Sequence, residues 1–169
     1  MVDWSVFKKI AGYFRSLVSK LLNLHDAPHS LAGGVAIGIF MGFTPLFGLK
    51  TLLCIGVAYI LRCNPIAAVI AVSLHDVVTP IWPVLLEIEY AIGSRILGLF
   101  DGVAHPASVT DFHIHDLMKW TTFFTVGLPM LLGSLFLSAP AAAISYALML
   151  PVFKRRERRR LERQQGEGI

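Results

Sequence analysis

The sequence predicts an all-α integral membrane protein, built from short Pro/Gly-broken transmembrane or re-entrant helical hairpins and preceded by an amphipathic interfacial helix. Three observations carry this. The 169 residues are 55% hydrophobic and 15% charged, with a mean hydropathy of +0.66, more apolar than an ordinary soluble domain. The apolar stretches are cut repeatedly by Thr-Pro, Asn-Pro and Gly-containing turns. The basic residues are also segregated: Lys8, Lys9, Arg15 and Lys20 precede the apolar region, Lys154, Arg155, Arg156, Arg158, Arg159, Arg160 and Arg163 follow it, and only Lys50, Arg62, Arg95 and Lys119 lie between. Basic flanks are held on the cytoplasmic side and attract anionic lipid. A multi-pass chain in the cell's inner (cytoplasmic) membrane, with N- and C-termini both cytoplasmic, is therefore expected.

Residues 1–25 read as the amphipathic interfacial helix. Phe7, Ile10, Ala11, Phe14, Leu17, Val18 and Leu21 recur at helical spacing, opposite Lys8, Gly12, Arg15, Ser16, Ser19 and Asn23. Packing on protein would leave the same stripe. The start is amphipathic throughout, without the basic, apolar and small-residue order of a cleavable signal.

The membrane domain is expected over 26–153. Asp26-Ala27-Pro28-His29-Ser30 separates two elements, with Ser30 placed to cap the second. In the next run Gly34, Gly38 and Gly42 recur every four residues, so one helix face is nearly bare backbone and suits close helix packing. At about 14 residues, roughly 21 Å, this run falls short of a hydrocarbon core of about 30 Å. Thr44-Pro45 stops it, Gly48 interrupts the following run, and Arg62-Cys63-Asn64-Pro65 ends a hairpin over 30–62. A second hairpin over 65–100 contains His75-Asp76, Thr79-Pro80 and Pro83. Thr44-Pro45-Leu46-Phe47-Gly48 and Thr79-Pro80-Ile81-Trp82-Pro83 share one residue order, which points to an internal repeat.

Residues 101–119 form the polar loop. The stretch 120–153 is too long for one upright span, about 34 residues or roughly 51 Å, so Gly127-Leu128-Pro129 or Ser138-Ala139-Pro140 is expected to divide or kink it, with two short helices in a third hairpin preferred. Residues 154–169 form a basic cytoplasmic tail. Interleaved Glu157 and Glu162, directly after the apolar run, make it a solvated stop-transfer flank and no nucleic-acid footprint. Cys54 and Cys63 lack CxxC spacing and read as free buried thiols.

Pro28-His29-Ser30, the glycine ladder, the stretch Phe43-Thr44-Pro45-Leu46-Phe47-Gly48-Leu49-Lys50-Thr51, then an Asn-Pro turn and a Thr-Pro, resemble a bacterial membrane family known as domain of unknown function 2062. The resemblance is closest over Asp26 to Leu99. That family usually carries Gln where this chain has Lys50, and an Asn-Pro-Leu-Thr-like turn where it has His75-Asp76-Val77-Val78-Thr79. Some relatives are fused to glycosyltransferase domains, so the resemblance implies work on envelope lipid or polysaccharide and an envelope-biosynthesis enzyme as partner.

Ionisable side chains at membrane depth are costly, so Lys50, His75, Asp76, Glu87 and Glu89 should face protein or water and pair with one another. If the two Thr-Pro breaks meet near the midplane, freed backbone groups would surround a polar site holding Lys50, Asp76 and Glu87, as in transporters. The alternative puts His75-Asp76 in an interfacial turn, with Asp76 capping the next helix and Glu87 and Glu89 pairing with Arg95. His113 and His115 offer two imidazoles but no distant third ligand, and Asp116 more simply caps a helix, so no metal is expected. No phosphate loop, nucleophile elbow or metalloprotease helix is present, so neither enzyme activity nor a cofactor is expected. The expected function is transport, or handling of lipid or envelope polymer, through paired broken helices in the bilayer, in a homo-oligomer with anionic lipids around it. The alternative is a non-catalytic scaffold docking a cytoplasmic enzyme or anionic lipid.

Overall fold

The computed structural model describes residues 4–44, 49–77, 82–101 and 126–166. Every described element is a helix: α1 (Trp4–Leu22), α2 (Pro28–Phe43), α3 (Lys50–Ile60), α4 (Pro65–Val77), α5 (Trp82–Asp101) and α6 (Leu128–Gly166). Among the described residues, only α6 is both long and apolar enough to cross a membrane.

The break between α1 and α2 is made differently from expectation. Pro28 opens α2, where a missing N–H costs nothing, and Ser30 lies inside the helix. Asp26, just ahead of the helix, accepts from the Ala27 N–H at 2.9 Å and from Ser30 Oγ at 3.3 Å. At the far end α2 stops at Phe43, because Thr44 precedes a proline and is extended.

The glycine ladder faces α4. A Cβ at Gly34 would meet the Asn64 carbonyl and Ala67, one at Gly38 the Ala68 carbonyl and Ala71, and one at Gly42 the His75 ring at 2.5 Å. These pairs rise together, so α2 and α4 run parallel in near-backbone contact, with α3 returning between their ends. Ile37, Cys54, Ala58, Ala68 and Val72 fill the space among the three helices.

Two expected hairpins are corrected. Residues 65–100 do not pack as one: α4 joins α2 and α3, whereas α5 joins α6. The reason is small-residue matching, since Ala67, Ala68 and Ala71 fit the α2 glycines, and Gly93 of α5 fits Gly133 of α6. A Cβ on either of those glycines would collide with the facing carbonyl, of Pro129 or of Glu89.

The second correction concerns 120–153. Ser138-Ala139-Pro140 does not divide the chain, because α6 continues through Pro140 and Pro151 to Gly166 and absorbs the expected separate tail. Proline removes a single ladder hydrogen bond, which a helix supported along its length tolerates. Here α2 and α5 both pack on α6. Gly127-Leu128-Pro129 marks where α6 begins.

The interfacial reading of α1 is corrected for its second half. Leu17 and Leu21 are buried with Leu31, Val35, Ala67, Ile70 and Phe153 in the molecule's own core. Only farther toward the N-terminus do Tyr13 and Phe14 stand exposed.

Candidate functional site

Two ends of the bundle are chemically distinct. At one, the turn between α3 and α4 folds back on the start of α2: the Asn64 N–H donates to Ser30 O at 3.1 Å, and its side-chain amide donates to Asp26 at 3.0 Å. Asn64 Oδ1 also caps α4 by accepting from the Ala67 N–H at 2.8 Å, and Arg62 takes the left-handed conformation (φ 55°) that the tight turn needs. These bonds hold the Asp26 carboxyl below its ordinary range, through the Asn64 amide first and the Ala27 N–H second. His29 Nδ1 and Tyr146 Oη, 2.8 Å apart, join the start of α2 to α6.

The other end lies one α2 length away, 16 residues or about 24 Å. Three helix ends converge there: the end of α2 at Thr44, the start of α3 at Lys50 and the last turn of α4 at His75 and Asp76. Lys50 Nζ makes an ion pair and hydrogen bond with Asp76 Oδ1. The lysine side chain is 10% exposed and the aspartate 41%, so the pair is closed on the lysine side and open at the carboxylate.

Helix dipoles oppose both charges. Lys50 stands on the positive end of α3 and Asp76 near the negative end of α4, so each is disfavoured by its own helix. Neither position would be chosen for helix stability.

His75 completes the cluster. Its Nδ1 lies 4.0 Å from the same aspartate oxygen, beyond hydrogen-bond reach, and has no partner among the described residues. The ring packs on Phe43 at 4.8 Å between centroids, in space left by Gly42. The last rung of the ladder is thus part of the site.

The structure brings Lys50, His75 and Asp76 together, with His75 and Asp76 on the final turn of α4 and not in a separate turn. Thr44 borders the cluster, with its hydroxyl turned back to the Phe40 carbonyl at 3.4 Å. Glu87 is exposed on α5. Pro83 falls in the first turn of α5, where proline is accommodated, so it starts that helix and does not break it. Pro45, Gly48, Thr79, Pro80, His113, His115 and the 101–119 loop beyond Asp101 lie outside the described residues.

Glu89, which the sequence places facing protein or water, is joined by Tyr90, a polar group that sequence reading did not select. Both are fully buried, and neither the carboxylate nor the phenol has a hydrogen-bond partner among the described residues. The expected pairing of Glu89 with Arg95 is not formed, because six helical positions turn the two side chains well apart. Gly133 contacts the Glu89 backbone, and Leu131 and Leu135 share a groove of about 280 Å³ with Met41 and Thr44. Glu89 therefore sits at the level of the Lys50–Asp76 pair.

No curated protein and no solved structure matches the chain. Residues 12–162, which include every helix of the site, match the bacterial family described as an uncharacterized protein conserved in bacteria, DUF2062, and the chain belongs to it.

Proposed function

We propose that this is a multi-pass protein of the bacterial inner membrane that handles a charged solute or headgroup at Lys50–Asp76, where broken helices meet inside the bilayer. The observation that carries the reading is the ion pair itself. It is set against both helix dipoles, closed on one side and open on the other, at the meeting of three short helix ends. Transporters build their sites from interrupted helices of this kind.

Membrane integration is supported by the outer surface. Just 6% of the most apolar stretch of α6 is buried, and Leu52, Tyr59, Ile60, Phe136, Ile144 and Leu148 are all exposed. Water would penalise such a surface heavily and lipid would not. With the Asp26–Asn64 end at the cytoplasmic boundary, α2 carries the pair about 24 Å into a core of about 30 Å, beyond the midplane and toward the far face. A second copy of the chain, surrounding anionic lipid and an envelope-biosynthesis enzyme are the partners of this proposal.

The scaffold reading is favoured by one feature, the charged extension of α6, whose exposed Arg155, Arg158 and Arg159 offer a docking face. In it the ion pair only shapes the fold.

Thiol labelling separates the readings. In a Cys54→Ala/Cys63→Ala background within intact cells, a membrane-impermeant reagent should label Asp76→Cys and Thr44→Cys but spare Phe136→Cys and Ile144→Cys. Labelling of Phe136→Cys and Ile144→Cys would remove the membrane placement. Protection of all four would make the breaks architectural.

A further inference from the structure

Two adjoining cavities open between α1 and the charged extension of α6, at the end of the bundle opposite the Lys50–Asp76 pair. One, of about 330 Å³, lies along α1 and has Arg15 and Arg156 in its walls with no carboxylate. The other, of about 430 Å³, continues past Arg156 to Arg160 and His25. Its wall also holds two acids, Asp26, which is engaged by Asn64, Ser30 and the Ala27 N–H, and Glu157, so the smaller cavity is the more positive of the two.

Two of these arginines are already oriented. Arg156 Nη1 donates at 3.0 Å to Leu22 O, a carbonyl left over at the end of α1, and Arg160 Nη1 donates at 3.4 Å to Leu24 O, two residues beyond it. One contact per guanidinium leaves most of its five donors for another acceptor. Arg156 lines both cavities, so its guanidinium is held where they join. Ser19 and Asn23 add hydroxyl and amide groups to the smaller cavity, while Phe14 and Val18 make its other wall apolar. Phe14 is exposed, as a ring at the boundary of headgroup and acyl chain would be.

We propose that the smaller cavity binds the phosphodiester of an anionic glycerophospholipid between Arg15 and Arg156, with Ser19 and Asn23 bonding the glycerol side and Phe14 and Val18 receiving the upper acyl chain. A planar guanidinium matches two phosphate oxygens at once, and an apolar wall beside it suits a lipid better than a soluble anion. The site would clamp α1 to α6 through the membrane surface, making the association of these helices depend on lipid composition.

The proposal rests on the membrane reading for its ligand, and the two are tested apart. Native mass spectrometry of the full chain, purified in detergent and offered phosphatidylglycerol or phosphatidylcholine, should show phosphatidylglycerol retained. Retention should fall about tenfold in Arg15→Gln and in Arg156→Gln, the loss of one charge-assisted bidentate contact. Lys20→Gln/Arg163→Gln removes exposed charge that lines neither cavity and should leave retention unchanged. Because Arg15 is not among the residues bonding α1 to α6, its variant reads binding without disturbing that contact. Equal loss in the control pair, or no loss in Arg15→Gln, would overturn the site. Displacement of the lipid by inorganic phosphate would assign the cavity to a soluble anion and overturn the lipid proposal. Extraction of the chain from membranes by alkaline carbonate would instead overturn the integral placement and leave retention in detergent as an independent result.

Discussion

Lys50 and Asp76 hold each other in place against the fields of their own helices, so removing either partner exposes the other to an unfavourable dipole. Lys50→Met and Asp76→Asn should each destabilise the protein, and a double-mutant cycle should give a coupling of about 1–2 kcal/mol. That lies between the value of exposed pairs and the loss on breaking a buried one, as the half-open aspartate requires. Thermal unfolding of the reconstituted protein measures it; additive losses would mean the pair is not formed. At the opposite end, Asp26 has its carboxyl held low by bonds to Asn64 and Ala27. Its stabilising contribution is present above the unfolded-state value of about 3.9 and fades as pH falls through the lower folded value. Asp26→Asn should therefore flatten the acid limb of stability below about pH 4, and an unchanged limb would show that the clasp does not contribute. The ion pair is legible in the sequence because charged groups in an apolar run must find partners. The burial of Tyr90, and of Glu89 without a hydrogen-bond partner among the described residues, is not, since their helix is apolar on most sides and its rotation carries no periodic marker.

At the scale of helices, glycine decides which neighbours meet. Gly38→Ala should cost about 1–3 kcal/mol, because the new methyl lands on the Ala68 carbonyl and Ala71, and Gly133→Ala should cost at least as much by striking Glu89 O. Gly56, with nothing within 4 Å of an added Cβ, is the control: Gly56→Ala should stabilise by about 0.5–1 kcal/mol. Unfolding midpoints of the three variants check the order, and a neutral Gly38→Ala would contradict close packing on α4. The spacing of Gly34, Gly38 and Gly42 announces a close helix but does not say which one. The alanines of α4 are a matching surface only once both helices are rotated into register. Gly93 and Gly133 give a weaker signal, each a lone glycine followed by serine inside an apolar run. Pro140 misleads because its signal is a missing donor, and the packing of α2 and α5 on α6 is a tertiary fact with no local trace.

Over the whole molecule, the first and last segments close on one another. Arg156 and Arg160 bond carbonyls at the end of α1 and two residues beyond it, and Phe153 shares a core with Leu17 and Leu21. A chain ending at Phe153 should keep its α2–α3–α4 unit yet loosen α1, with amide exchange over residues 12–22 faster by about tenfold or more, the equivalent of about 1.4 kcal/mol of lost capping. Unchanged exchange would mean that core contacts alone hold the helix. The segregated basic residues make the shared placement of both ends legible in advance, although not the bonds that join them.

The packing of both α2 and α5 on α6 also sets a timetable. The ribosome makes α6 after both, so α2 and α5 emerge before the surface that covers them exists. The α2–α3–α4 unit can close early on its glycine ladder, but the Gly93 face must wait through the synthesis of residues up to Gly133. During that interval the unfinished protein presents bare backbone faces to its surroundings and to other nascent chains, and any factor that shelters half-made helices would have its greatest effect there.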